Sequence, residues 1–308
     1  MAYFGDPVRE EYKYQIWLHL AVFIFGTTGI LGKLISLGSY ALVWYRLLIA
    51  LFALLLIFGI AKRSLAIDRR TALALMGVGL ILGAHWLTFF EAIKRSNVSV
   101  SLVCFSSVAL FTSFIEPILY RRRIFWSEPL IGLGIVLGFY FVFRFEFEFA
   151  AGMLLSGISA ALAAWFTVLN GLLVRRLDPR VMTFYELLGA FCLASLCLGV
   201  LSQVEPQTVL PKPLDLLWLA ILGVVCTAFS FMLSIQLIRR ITPYSFVMAI
   251  NLEPIYAILL ALAIWPESET MSLEFYYGAA FIVAMIFLNS YLKGKRGFMG
   301  KQSVDSIR

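Results

Sequence analysis

Residues 44–56, WYRLLIALFALLL, have a counterpart in residues 184–196, FYELLGAFCLASL, with the tyrosine and the leucine pair in register. Further on, AIKRSNVSVSLV (92–103) matches LIRRITPYSFVM (237–248), where two basic residues follow soon after an isoleucine or stand beside it. The offsets of 140 and 145 differ by one small insertion. The chain is therefore two copies of one unit, and the nature of that unit follows from its polarity.

Of 308 residues, 61% are hydrophobic and 14% charged, with a mean hydropathy of +0.91. A soluble domain carries roughly 25% charged and about 45–50% apolar residues. Long uninterrupted apolar runs exclude a membrane β-barrel, whose strands alternate in polarity. The fold class is thus an all-α integral membrane protein. With about 20 apolar residues per crossing, ten segments qualify: 16–36, 39–60, 72–93, 97–119, 129–145, 150–174, 181–202, 214–238, 243–265 and 273–292. They divide into a first five-helix repeat (16–145) and a second (150–293), flanked by an N-terminal segment (1–15) and a basic tail (294–308). The polar start MAYFGDPVREEYKYQ does not read as a cleavable signal peptide.

With the N-terminus placed in the cytoplasm, 19 basic residues fall inside and five outside, Arg46 being left over within a span. The positive-inside rule then puts both termini in the cytoplasm. An odd number of helices per repeat inverts the second half relative to the first. Inverted repeats characterise secondary transporters, with a site near the bilayer midplane between the halves. Cys104, Cys192, Cys197 and Cys226 form no CxxC pair and read as small buried hydrophobes, so neither a metal nor a disulfide is called for.

Polar residues at membrane depth are the site candidates. Glu253 stands mid-segment beside Asn251 and before Pro254, where the helix must break. It suits a proton carrier, a partner for a substrate amine, or a structural acid capping the break. His85 and Trp86 lie opposite Ser230 and Phe231 in the repeat, and Glu91 lies opposite Gln236. Trp165 and Asn170 share a helix with the small-residue stripe Gly152, Ser156, Ala160 and Ala164, which reads as a packing face. Glu91 suits a local ion pair with Lys94 or Arg95, and Glu116 one with Arg121–Arg123. Gly134 and Gly138 suit helix packing or a dimer contact. The two Glu-Pro pairs, Glu116-Pro117 and Glu253-Pro254, are not repeat mates, because the register sets Pro254 against Ala109.

Arg46 is the mate of Glu186. It lies six residues past Tyr40, about 9 Å along the helix, shallow enough to snorkel to the outer interface. The pair reads as a gate that forms and breaks, or as two unrelated anchors.

The ten segments, together with GAHWLTFFEAIKRSNVSVSLVCFSS (83–107) and LIRRITPYSFVMAINLEPIYAILLA (237–261), resemble the EamA branch of the drug/metabolite transporter superfamily. The resemblance implies a cavity lined by helices 1, 3, 4, 6, 8 and 9, and export of small metabolites such as amino acids. The sequence departs from that pattern near Ala109, where the family often has proline, and at RRR (121–123), where it often has an acid. The first helix also lacks the glutamate of the related small multidrug exporters.

No HExxH, GxSxG or Walker-type loop is present, so neither catalysis nor ATP hydrolysis is expected. No cofactor is implied. The partners expected are a small-molecule substrate, the lipid bilayer and protons, without nucleic acid, in a monomer or homodimer of a bacterial cytoplasmic membrane. A proton-coupled drug exporter and a nutrient importer stay open within transport; a membrane sensor or an intramembrane enzyme stays open outside it.

Overall fold

A computed structural model describes residues 7–121, 123, 126–145, 147–204, 208–285, 287, 288 and 292. The basic tail 294–308 and most side chains of FRFEFEF (143–149) lie outside the described residues. In order, the helices are α1 (Pro7–Leu34), α2 (Ser39–Ile60), α3 (Arg69–Arg95), α4 (Val98–Phe105), α5 (Val108–Tyr120), α6 (Ser127–Phe145) and α7 (Ala150–Leu173). They continue with α8 (Pro179–Val204), α9 (Pro213–Ala220), a π-helical stretch (Ile221–Phe229), α10 (Ser230–Ile238), α11 (Pro243–Ile250), α12 (Glu253–Ile264) and α13 (Pro266–Glu269). A shorter apolar helix, α14, covers Leu273–Met285. No strand occurs among the described residues.

Among those residues, eight helical stretches are long and apolar enough to cross a membrane. They coincide with all the expected segments except the fifth and tenth, which correspond to α6 and the shorter α14. The chain is a multi-pass membrane protein, and its exposed apolar residues, such as Phe52, Leu55, Leu133 and Leu259, suit a hydrocarbon surround.

The repeat places equivalent caps at equivalent positions. Asn97 accepts from the Val100 N–H at 2.8 Å to start α4, and Thr242, 145 residues on, accepts from the Ser245 N–H at 3.1 Å to start α11. Both of these spans are broken in the middle, between α4 and α5 at Ser106-Ser107 and between α11 and α12 at Asn251-Leu252. Pro254 explains the second break. The first has no proline; Ser106 Oγ and Ser107 Oγ instead bond back to the carbonyls of Leu102 (3.2 Å) and Cys104 (2.9 Å), a pattern that bends helices. Pro117 lies well beyond that break, inside α5, so the two Glu-Pro pairs do occupy different structural positions.

The halves interlock through two crossings that exchange their roles. At the α3–α8 crossing, a Cβ on Gly79 would land on the Glu186 carbonyl oxygen. At the crossing of α2 with the π-helical stretch, a Cβ on Gly223 would sit 3.0 Å from the Arg46 carbonyl oxygen and 2.7 Å from Ile49 Cγ2. Only glycine lets backbones approach this closely. The stripe on α7 packs as expected: Gly152 abuts Ser96 and the Ala92 carbonyl, and Ser156, Ala160 and Ala164 are fully buried. Gly134 and Gly138 receive Met285 and Ile282 of α14, so they pack within the chain.

Gly79→Ala is expected to lower stability by about 1–3 kcal/mol through overpacking. Gly77→Ala, whose Cβ meets nothing within 4 Å, is expected to leave stability unchanged or slightly raised. Thermal unfolding of the two purified variants in the same detergent separates them.

Candidate functional site

Between the crossings lies a cavity of about 90 Å³. Its walls come from α1, α3, α4–α5, α7, α10 and α11–α12, that is, from six of the spans and from both halves. Most of the lining is apolar or aromatic, including Phe25, Phe89, Phe105, Phe166, Phe231 and Phe246. The polar lining is Thr28, His85, Thr167, Asn170, Ser234 and Glu253, with no lysine or arginine among the described residues. The cavity leans toward the end of the bundle where Arg175, Arg176, Arg239 and Arg240 follow the helix termini, since Ile238, Phe246 and Asn170 belong to its wall.

The broken spans put Glu253 in this wall. As the first residue of α12, it is 5% exposed and makes neither an ion pair nor a hydrogen bond among the described residues. Its neighbour Asn251 turns away from the cavity: Asn251 Nδ2 donates to the Ser106 carbonyl at 3.3 Å, joining one helix break to the other. It borders a second, outer pocket with Val103, Ser106 and Pro254.

His85 and Trp86 both line the cavity. His85 Nδ1 lies 2.7 Å from Ser159 Oγ, while Ser159 Oγ donates to the His85 carbonyl at 3.0 Å. The imidazole is surrounded by the rings of Phe89, Phe105 and Phe166, at centroid distances of 6.0, 5.4 and 5.5 Å. The chain thus builds an aromatic enclosure around one titratable ring. Trp86 packs edge-on against Phe231, its neighbour across the repeat.

Behind these walls stand the two charged mates. The Arg46 guanidinium lies 4.2 Å from the Trp86 ring centroid and 5.1 Å from that of Phe90. Its Nε and Nη2 donate to Thr227 Oγ1 at 3.1 and 2.8 Å. Snorkelling is therefore corrected: Arg46 is 1% exposed and turned inward, held by two aromatic faces and a hydroxyl, while its Nη1 is buried without a hydrogen-bond partner among the described residues. The π-helical stretch presents Thr227, whose own hydroxyl donates to the Leu222 carbonyl at 2.6 Å. Glu186 is fully buried on α8 and accepts from Asn170 Nδ2 at 3.1 Å, so it is tied to α7 of its own half. Arg46 and Glu186 form no ion pair with each other here: Thr227 holds the one and Asn170 the other.

The remaining candidates fall elsewhere. Trp165 is 43% exposed on the outer face of α7 and is not part of the lining. Ser230 is buried and bonds back to the Cys226 carbonyl at 2.7 Å. Gln236 borders a groove on the outside of α1 and α10, with Tyr14 and Trp17. Glu91 does pair with Arg95, at 2.5 Å, and also accepts from Ser39 Oγ. Glu116 caps α11, its Oε2 accepting the Tyr244 N–H at 2.6 Å. Sequence reading did not single out Thr28, Thr167 or Ser234, whose hydroxyls are ordinary inside apolar helices. Cys192 is exposed rather than buried, and the other three cysteines are buried or half-buried.

The model of the EamA-like transporter family matches residues 13–144 and again residues 150–291. A solved crystal structure, described only as that of a protein, superposes with a TM-score of 0.66 at 16% identity, covering 91% of this chain and 98% of the other. It shares the fold. No curated protein matches the chain.

Asn170→Leu removes the amide that Glu186 accepts from, and is expected to cost about 1–3 kcal/mol of stability. Trp165→Leu, at an exposed apolar position, is expected to change it by less than about 0.5 kcal/mol. Denaturation of both variants in one detergent checks the contrast.

Proposed function

Because the chain belongs to the EamA-like transporter family, we propose that it is a secondary transporter that exports a small amphipathic metabolite of amino-acid-like size by alternating access. The observation that carries this reading is the cavity between the two halves, where Glu253 is the one acid among the described residues of a mostly apolar and aromatic wall. In this reading α6 and α14 complete ten spans, as two five-helix halves, 16–145 and 150–293, inserted in opposite senses. The basic helix ends face the cytoplasm together with both termini, in a bacterial cytoplasmic membrane.

Physically, Glu253 would serve as the exchangeable site. A lone buried carboxylate binds either a proton or a substrate ammonium, because leaving it charged and unpaired is costly. Mutual exclusion at one acid is sufficient to couple export to proton entry. Trp86 and the phenylalanines would hold the apolar body, and His85 and Asn170 would orient its polar atoms. A described lining without lysine or arginine supports a second reading, a proton-coupled exporter of apolar cationic drugs. Such a substrate needs a carboxylate and aromatic faces but no cationic partner.

Flux measured in proteoliposomes across amino acids and lipophilic amines, with and without a pH gradient, tests both readings. Gradient-driven flux is expected in the wild type, and Glu253→Gln is expected to lose its dependence on the gradient. Unaltered coupling in that variant would remove the proton-carrier role. Paired His85→Ala and Trp86→Ala variants are expected to reduce flux at least about tenfold, the scale of ~1.4 kcal/mol in transition-state or binding energy.

A further inference from the structure

Two buried acceptor atoms behind the cavity wall have nothing to accept from. Glu186 of α8 is fully buried and lies outside the cavity lining, whereas Asn170 of α7, equally buried, belongs to it. Asn170 Nδ2 donates to Glu186 Oε2 at 3.1 Å. The other oxygen of each group, Glu186 Oε1 and Asn170 Oδ1, is buried without a hydrogen-bond partner among the described residues. A charged carboxylate so placed would be an unpaired anion inside the bundle, and each unsatisfied acceptor adds its own desolvation cost.

The neighbouring helices supply no base to offset that charge. Helix α8 packs against α2, α3 and α10, and α3 meets Glu186 with the bare backbone of Gly79. On α2, Arg46 is held by Thr227, Tyr45 stacks on Trp44, and Tyr40 stands in the first turn. On α3, His85 is held by Ser159, and the remaining charges stand near the two helix ends. Neither α10 nor α7 carries an ionisable side chain apart from what Asn170 contributes as an amide. On α8 itself, Tyr185 donates to the Leu65 carbonyl at 3.1 Å, and Arg180 lies in the first turn. A single proton removes the whole deficit. Carried on Glu186 Oε1, it donates to Asn170 Oδ1 while Oε2 accepts from Nδ2, closing a cyclic acid–amide pair. Turning the amide over only moves the need, because Oδ1 would then face Oε2, and two acceptors in contact also require a proton between them.

We propose that Glu186 is a protonated acid paired with Asn170, forming a second proton-binding site of the cavity in addition to Glu253. Asn170 is the positioning residue through which the cavity reaches it, since its amide stands in the wall and Glu186 stands behind. Loss of the proton to water in the cavity leaves a carboxylate held by Nδ2 alone, and frees the Asn170 carbonyl oxygen to take a donor from the cargo. That exchange with cargo rests on the transport reading above; the bound proton does not.

Infrared spectra of the full chain in lipid nanodiscs at neutral pH test this without any substrate. Glu186→Gln is the informative variant, because glutamine donates to Asn170 Oδ1 and accepts from Nδ2 as the protonated acid does. It is expected to melt with the wild type and to lack one protonated-carboxyl C=O band, which Glu253→Gln leaves in place. Asn170→Leu, where the acid loses its partner, is expected to move that band to higher frequency. Loss of an ionised carboxylate band in Glu186→Gln, in place of a protonated one, overturns the proposal. So does a Glu186 band that Asn170→Leu does not move, or a Glu186→Gln chain that melts well below the wild type. A protonated Glu186 in a chain that moves no tested solute would leave the site standing and count against the transport reading. Gradient-driven flux with an ionised Glu186 would do the opposite.

Discussion

A break in a membrane helix frees backbone groups that hydrocarbon cannot satisfy, and the rest of this structure is arranged around that constraint. Breaks of this kind stand at Ser106-Ser107 and Asn251-Leu252, and the fold brings them together. Asn251 Nδ2 donates to the carbonyl of Ser106, so the loose end of one break is used by a side chain from the other. Serine hydroxyls take up the neighbouring carbonyls. With both breaks satisfied inside protein, Glu253 can start a new helix in the middle of the bundle, facing a cavity rather than lipid.

The glycine crossings solve a second problem, that of joining two halves in a medium offering little hydrophobic drive between helices. Gly79 against Glu186 and Gly223 against Arg46 bring backbones into contact, and they do so at the very residues carrying the buried charges. That coincidence fixes where Arg46 and Glu186 can point. Arg46 is drawn onto Trp86 and Thr227, Glu186 onto Asn170. Two mates by sequence thereby acquire different partners, because the π-helical stretch distorts only one of the two equivalent spans.

Much of this is legible in the sequence. Hydropathy locates the spans, and the offsets of 140 and 145 between matching stretches mark the two halves by themselves. The family resemblance is shown by matches over both halves. Of the residues singled out, Glu253, His85, Trp86 and Asn170 share one cavity wall, while Asn251, Trp165, Ser230 and Gln236 do not. The difference is rotational: a polar residue in an apolar helix signals depth, but where it falls around the helix, in steps of about 100° per residue, decides between cavity, neighbour and lipid. The inward turn of Arg46 is hidden for the same reason, since its solvation depends on Phe90 and Thr227 from other spans. Glu269, whose carboxylate accepts the Val98 and Ser99 N–H groups, escapes notice because the short helix α13, PESE, reads in the sequence as an ordinary polar loop.

The placement of Arg46 bears on what the cavity prefers. A guanidinium against the Trp86 ring draws on the negative face of that indole. The ring then offers less to a cation on the cavity side, while Glu253 offers its carboxyl group on the wall formed by α12. An amphipathic amine in this cavity would accordingly orient with its ammonium toward Glu253 and its apolar body toward Trp86 and the phenylalanines. Orientation of that kind comes from an exchangeable carboxyl group in the wall and a guanidinium behind it. The same polarity gives Arg46 a reason to sit at depth that does not require it to touch the cargo: buried and solvated by protein, it biases the electrostatics of the cavity without occupying it.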